Sequence, residues 1–311
     1  MGESAHSALH NPPKDVKLIG FPDSGYPDLL RNIPDPPPYF WYKGNENGFK
    51  LPCVSIVGTR RASDYGKRVA HRIAFELASA GLCIVSGLAY GIDKAAHEGA
   101  LDAGGTTIAV LGSGVEEVYP RQHQSIARQI TQRGCLISEY EPDVRPDKTH
   151  FPERNRIISG LSHATIVVEA FQKAGALITA HLCIEQKRDL YAVPGRIDEG
   201  TSVGTNALLE ASAAAVFRSS EQLLEEYSRR GWFQQDHEKT PELSPTPESK
   251  KPRTRLENDV LACLSDRSLH IDEIETTLDF PGGALWSALL HLECDGLIRA
   301  VEGNYYERSR W

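Results

Sequence analysis

The 311-residue sequence predicts a doubly wound α/β domain followed by a small second domain, and three observations carry that prediction. Between residues 53 and 217, seven short apolar runs alternate with amphipathic stretches of helical length. Such runs read as strands buried on both faces, and helical crossovers between them make the sheet mostly parallel. Most of the runs end in glycine turns, on the edge where an open α/β sheet places its ligand. Residues 234–255 then hold almost no large apolar side chain and three prolines within 241–247, the composition of a flexible linker.

Taken in order, residues 1–17 are expected to be disordered, and 18–52 form a Pro/aromatic lead-in packed on the main domain. Asp35-Pro36-Pro37-Pro38 excludes a helix there. Tyr39, Phe40, Trp41 and Tyr42 follow as a strand-like run, with aromatics that suit packing better than base stacking. The main domain occupies 53–233. Its strands are expected at 53–57, 82–85, 106–111, 135–138, 164–168, 189–193 and 214–217. Helices are expected at 65–80, 92–103, 121–133, 154–161, 176–187, 205–211 and 220–230. Ser219 with Gln222 fits a capping box at the last of these. Residues 256–311 read as three short helices and a hairpin turning at Glu302-Gly303-Asn304, which is the winged-helix order.

Composition bounds the function. No apolar run approaches the roughly 20 residues that span a bilayer, and MGESAHSALHNPPKD lacks the apolar core of a signal peptide. A cytoplasmic protein with no membrane partner is expected. The cysteines (Cys53, Cys83, Cys135, Cys183, Cys263, Cys294) form no CxxC pair and read as buried free thiols. The net charge of -8 is unevenly spread: residues 53–218 hold 18 basic and 18 acidic residues, while 219–311 hold 11 and 18. The acidity therefore lies mainly outside the domain with the glycine turns, which leaves room there for a local basic pocket.

The turns carry the chemistry. Gly58-Thr59-Arg60-Arg61 follows a buried strand and precedes a helix starting near Ser63 or Asp64. The amides of that helix N-terminus favour an anion, and two arginines add bidentate phosphate donors. Walker A spacing is absent: seven residues separate Gly58 from Gly66-Lys67, and Arg68 replaces the magnesium-binding hydroxyl. Ser86-Gly87 opens a second phosphate-type turn. Asp93 and His97, four apart on one helix face, suit pairing or capping better than a metal, since no third ligand is evident. Gly112-Ser113-Gly114 begins like a dinucleotide fingerprint, but Glu117 takes the third glycine position. No cofactor is therefore expected.

Arg154, Asn155 and Arg156 enter a helix behind Pro152 and suit oligoanion contact. Lys173, the Gly175 turn and Arg196 add to the same sheet edge. A single nucleotide needs one or two phosphate nests, whereas several turns with dispersed cations suit an extended polyanion such as single-stranded nucleic acid. No ordered carboxylate pair and no nucleophile–base pair stands out, so binding without catalysis is expected.

The sequence resembles the DNA-processing protein A (DprA/Smf) family. The matching stretches are YPDLLRNIPDPPPYFWYKG, VSIVGTRRASDYG, IVSGLAYGIDKAAHEGAL, TIAVLGSGVEEVYP, GCLISEY, FPERNRIISGLS, VVEA, AGALITA and AVPGRIDEGTSVGTN, in family order from residue 26 to about 217. The resemblance implies an extended Rossmann fold that binds single-stranded DNA, protects incoming DNA during natural transformation and loads RecA recombinase onto it. It also implies a homodimer with no required catalytic activity, and a winged-helix appendage at the C-terminus. The DNA-binding set it implies, with the turns read above, is Gly58, Thr59, Arg60, Arg61, Ser86, Gly87, Arg154, Asn155, Arg156, Lys173 and Gly175. The chain departs from the family at Ala174-Gly175-Ala176, where a serine-glycine-serine turn is usual, and this removes two hydroxyls that could hold phosphate. It departs again at Ser212-Ala213, where a glycine-alanine pair is usual.

Residues 252–311 hold 6 basic and 11 acidic residues, and GALWSALLHLECDGLI has no Lys or Arg. A DNA-reading winged helix carries a basic recognition helix, so protein contact or a structural role is expected of this unit, and a transcription factor is disfavoured. The enzymatic alternative is a nucleotide phosphoribohydrolase of the LOG (lysine-decarboxylase-like) type. Its PGGxGTxxE signature is absent here, where Glu169 is followed by AFQKAGALITA.

Overall fold

A computed structural model describes residues 13–232, 254–264, 268–278, 282–294, 297–301 and 305–308. The chain divides into two compact units, 1–235 and 236–311. Most of the expected linker, 234–253, lies outside the described residues, as do residues 1–12 and the Glu302-Gly303-Asn304 turn.

The first unit begins with β1 (Val16–Gly20), the short helix α1 (Asp28–Arg31) and β2 (Tyr39–Gly44). The alternating core follows as β3 (Cys53–Val57), α2 (Asp64–Ser79), β4 (Cys83–Ser86), α3 (Ile92–Asp102), β5 (Thr107–Val110), α4 (Gln124–Arg133) and β6 (Cys135–Ser138). It continues as α5 (His150–Gly160), β7 (Ala164–Val167), α6 (Gly175–Glu185), β8 (Asp189–Ala192), α7 (Val203–Glu210), β9 (Ala215–Val216) and α8 (Ser220–Arg229). The sheet order is β1-β2-β6-β5-β4-β3-β7-β8-β9, parallel from β6 to β9. β1 and β2 add an antiparallel edge, with Trp41 opposite Ser138.

Two sequence expectations are corrected here. Val16 and Lys17 are not disordered: Val16 is buried and pairs with Lys43, because the aromatic β2 offers β1 an edge. The helix expected at 154–161 starts at His150, so Arg154 stands on its second turn.

Alternation along the strands builds two cores. In β3, Cys53 and Val57 face α5 and α6, while Val54 and Ile56 face α2 and α3. Edge-to-face rings (Tyr26, Phe40, Phe49, Tyr42) pack the lead-in onto the first of these faces. Ser219 Oγ accepts the Gln222 N–H and starts α8. Cys53, Cys83, Cys135 and Cys183 are buried free thiols, and Cys263 is half-buried and free. Among the described residues no helix is long and apolar enough to cross a membrane.

The second unit comprises α9 (Arg255–Cys263), β10 (Leu269–His270), α10 (Ile271–Leu278), α11 (Gly282–Cys294), β11 (Ile298–Val301) and β12 (Tyr305–Arg308), with its own apolar core. This is a winged-helix arrangement. Thr254 and Glu257 form a reciprocal capping box at α9. On α11, Trp286 is 54% exposed and Ser287 and His291 are also exposed, so an aromatic, not a cation, leads that face.

Candidate functional site

The strand order reverses at β3: the chain leaves β3 toward β4 on one side, and β7 lies on the other. Loops leaving the carboxyl ends of β3 and β7 therefore diverge and leave a crevice. That crevice is a cavity of about 620 Å³. Its walls are Gly58 to Arg61 after β3, Phe151, Pro152, Arg154 and Asn155 on α5, and Phe171, Lys173 and Ala174 before α6 with Gly175 and Ala176 at its start. Tyr119 and Lys148 complete its rim.

Gly58 is required by close approach, since a Cβ there would collide with Ile92 and with the Glu169 carbonyl. Next to it, the Thr59 N–H donates to Glu169 O at 2.7 Å, and the Ile92 N–H donates to Thr59 O at 3.3 Å. The Arg60–Arg61 loop is thus sewn to β7 and α3. The Arg60 guanidinium lies 5.1 Å from the centroid of the Phe151 ring, a cation–π contact that orients it. Arg60, Arg61, Lys148 and Lys173 are all exposed on the cavity wall. Among the described residues none of the four forms a salt bridge.

The expected anion site at the N-terminus of α2 is already filled. Glu169, only 3% exposed, accepts from the Ser63 N–H at 2.9 Å and from Ser63 Oγ at 2.5 Å. Ser63 Oγ in turn accepts the Gly66 N–H at 2.9 Å. A protein carboxylate therefore already satisfies these amides and complements the helix dipole. Cations above the loop, and not the helix end, remain to meet an anionic ligand.

Arg154 is 4% exposed. Its Nη1 donates to Gly87 O at 2.8 Å and to Val110 O, and its guanidinium covers Gly87 closely enough to exclude a Cβ. Asp93 beneath it accepts from the Gly87 N–H at 3.2 Å and the Ala89 N–H at 3.4 Å. Burial raises the Asp93 pKa against the opposing Arg154 charge, and burial lowers the Arg154 pKa to about 10 against the opposing Asp93 charge. Arg154 thus fastens α5 to the loop after β4 and supplies a positive charge from beneath the cavity. Asn155 Oδ1 accepts from Arg154 Nε at 3.2 Å.

Asp93 and His97 do not pair. Thr107 Oγ1 donates to Ile84 O, which leaves that oxygen to accept from His97 Nδ1 at 2.7 Å. Complete burial drives the His97 pKa down to about 3. Among the described residues no group of three or more His, Cys, Asp and Glu could hold a metal ion.

Of the residues singled out in the sequence, Gly58, Thr59, Arg60, Arg61, Arg154, Asn155, Lys173 and Gly175 meet at the cavity. Three do not. Ser86 is buried and donates to Ile56 O at 2.7 Å, and Gly87 lies under Arg154. Arg156 points to the other side of α5, where Glu139 holds it at 2.6 Å and Asp35 at 2.8 Å. Arg196, too, is held by a carboxylate, Asp198 at 2.7 Å. Sequence reasoning missed Lys148, Phe151, Tyr119 and Phe171. An aromatic set among basic residues, as in KTHFPERNR, was the usable signal for the first two.

The family model described as DNA recombination-mediator protein A matches residues 17–228. The chain belongs to this family. A second model, the DprA winged helix domain, matches residues 244–304. The chain is 36% identical to the protein Smf of Synechocystis over 95% of its own length and 81% of that protein. It is 39% identical to the DNA processing protein DprA of Bacillus subtilis over 69% of its length and 72% of that relative. Among solved structures, Streptococcus pneumoniae DprA superposes with a TM-score of 0.66 at 40% identity, covering 68% of this chain and 75% of that one. Helicobacter pylori DprA superposes with 0.63 at 31% identity, covering 69% and 96%; that structure is described for its single-stranded DNA binding mode. The shared fold is the α/β unit whose switch point forms the cavity.

Proposed function

We propose that the chain is a cytoplasmic, non-enzymatic recombination mediator that binds single-stranded DNA in this cavity. In this reading it shields incoming DNA and loads RecA recombinase onto it during natural transformation, as a homodimer joined through the α/β unit. The observation that carries the DNA reading is the set of four exposed cations outside any salt bridge on the wall of one cavity, with the Phe151 ring beside Arg60. A single strand offers charged phosphates and unstacked bases together, and this wall offers cations and aromatic rings together. The Helicobacter relative, with its single-stranded DNA binding mode, supports the same reading.

The phosphoribohydrolase alternative needs a free carboxylate near the β7 loop, and Glu169 is committed to the N-terminus of α2. Release of base from nucleoside monophosphates by the pure protein would count against the non-enzymatic reading.

The binding test is fluorescence anisotropy with oligothymidine across a salt series. Arg60→Ala and Lys148→Ala should each weaken binding and each lower the salt slope by about 0.7. Arg156→Ala, whose side chain is spent on Glu139 and Asp35, should leave the affinity unchanged. A doubly substituted protein lacking Arg60 and Lys148 that binds like the parent would remove DNA from this cavity.

A further inference from the structure

One wall of the cavity carries exposed apolar side chains on either side of Lys173, and a neighbouring loop packs against it. Phe171 and Ile178 line the cavity and are 40% and 41% exposed. Beside Phe171 runs the loop from β8 to α7. Its base is firmly held: the Gly195 N–H donates to Asn206 Oδ1 at 3.1 Å, and Asn206 Nδ2 donates to Gly195 O at 3.0 Å. The Ala170 N–H donates to Thr201 O at 2.7 Å, and the Gly204 N–H donates to Ala170 O at 2.7 Å. Gly200 packs beside the Phe171 ring.

From this clamped base Ile197 projects 97% exposed, more than any other large apolar side chain among the described residues. Scattered exposed apolar side chains are ordinary. Here, however, the exposure sits on a held loop adjoining a cation-lined cavity. The charges of the tip exclude phosphate as its ligand, because Asp198 takes up Arg196 through two hydrogen bonds and Glu199 adds a further negative charge. What the tip offers is an aliphatic surface.

We infer that Ile197, on the loop whose base packs against Phe171, is a nucleobase shoulder that receives a base of the strand after it leaves the cavity. The inference rests on the single-stranded DNA reading of the cavity. Phosphates run on the Arg60, Arg61 and Lys148 side, and the bases turn toward the Phe171–Ile197 side. The two walls match the two faces of a single strand, and a duplex, with its bases paired inward, has nothing to place on the shoulder.

The test uses the full chain and two oligothymidines, one that the cavity alone covers and one several nucleotides longer. Ile197→Ser should weaken the longer probe about five- to tenfold and leave the shorter one unchanged. A 2-aminopurine moved along the longer probe reports which bases are unstacked. Its fluorescence gain should vanish in Ile197→Ser only at positions beyond the cavity. The inference is overturned by equal affinity of the parent for both probes, by equal losses on both in the variant, or by no loss on either. It is also overturned if Ile197→Ser separates a dimer in sedimentation while DNA affinity holds, since the shoulder would then be a contact between copies. Arg60→Ala run in parallel separates the two failures. If it binds normally, the cavity reading itself is wrong; if it weakens both probes while Ile197→Ser weakens neither, only the shoulder is wrong.

Discussion

Arg154 is the residue whose role the structure changes most. A guanidinium that is 4% exposed, bonded to two carbonyls and set over Asp93 is a structural cation. Removing it strands two buried carbonyls and takes away the charge that opposes the burial of Asp93, at a cost of about 1–3 kcal/mol for each stranded group. Arg154→Met should therefore show a large loss in urea unfolding, and Asp93→Asn in the same background should recover part of it. His97 makes a second residue-scale prediction. The unfolded imidazole takes up a proton as pH falls below about 6.5, whereas the folded one stays neutral down to about 3. Between those values the unfolded chain binds the extra proton, so acid favours unfolding, and stability rises as pH rises toward neutrality. His97→Asn should flatten that dependence by up to about 1.4 kcal/mol per pH unit, read from urea midpoints across the acid range.

At the scale of elements, the turn after β3 shows what a local pattern can and cannot reveal. Strand, glycine and helix are legible in VSIVGTRRASDYG, and so is the pair of arginines. That the helix end is already occupied is not legible, because Glu169 lies 106 residues from Ser63 and reaches it only through the pairing of β3 with β7. Gly66 packs directly against that carboxylate with no space for a Cβ. Gly66→Ala should cost about 2 kcal/mol in thermal or urea unfolding. Gly175, equally suggestive in the sequence, has nothing within 4 Å of a built Cβ and no positive φ. Gly175→Ala should gain about 0.5 kcal/mol in urea unfolding by stiffening the unfolded chain.

At the scale of the whole molecule, charge is partitioned between units. The 53–218 stretch is neutral overall yet sets four exposed cations, Arg60, Arg61, Lys148 and Lys173, around one crevice, while the winged-helix unit is acidic and presents Trp286 on α11. Each unit has its own apolar core. A fragment of residues 1–235 should keep the oligothymidine affinity and salt slope of the full chain in anisotropy titrations. A fragment of 236–311 should bind no DNA at moderate salt, since its helix α11 has no Lys or Arg to place on phosphates.

The α/β alternation, the two-part chain and the sheet edge that bears the ligand loops are written in local sequence. Each of these follows from local periodicity and from glycine at strand ends, which neighbours in the chain express without help from distant residues. Which cations stay free was decided only by tertiary structure. Arg60 and Arg156 look alike in the sequence. One ends on an open wall beside Phe151; the other is met by Glu139 and Asp35, brought in from β6 and the lead-in. A charge is available to a ligand only when folding has given it no partner, and partners here come from strands far apart in the chain.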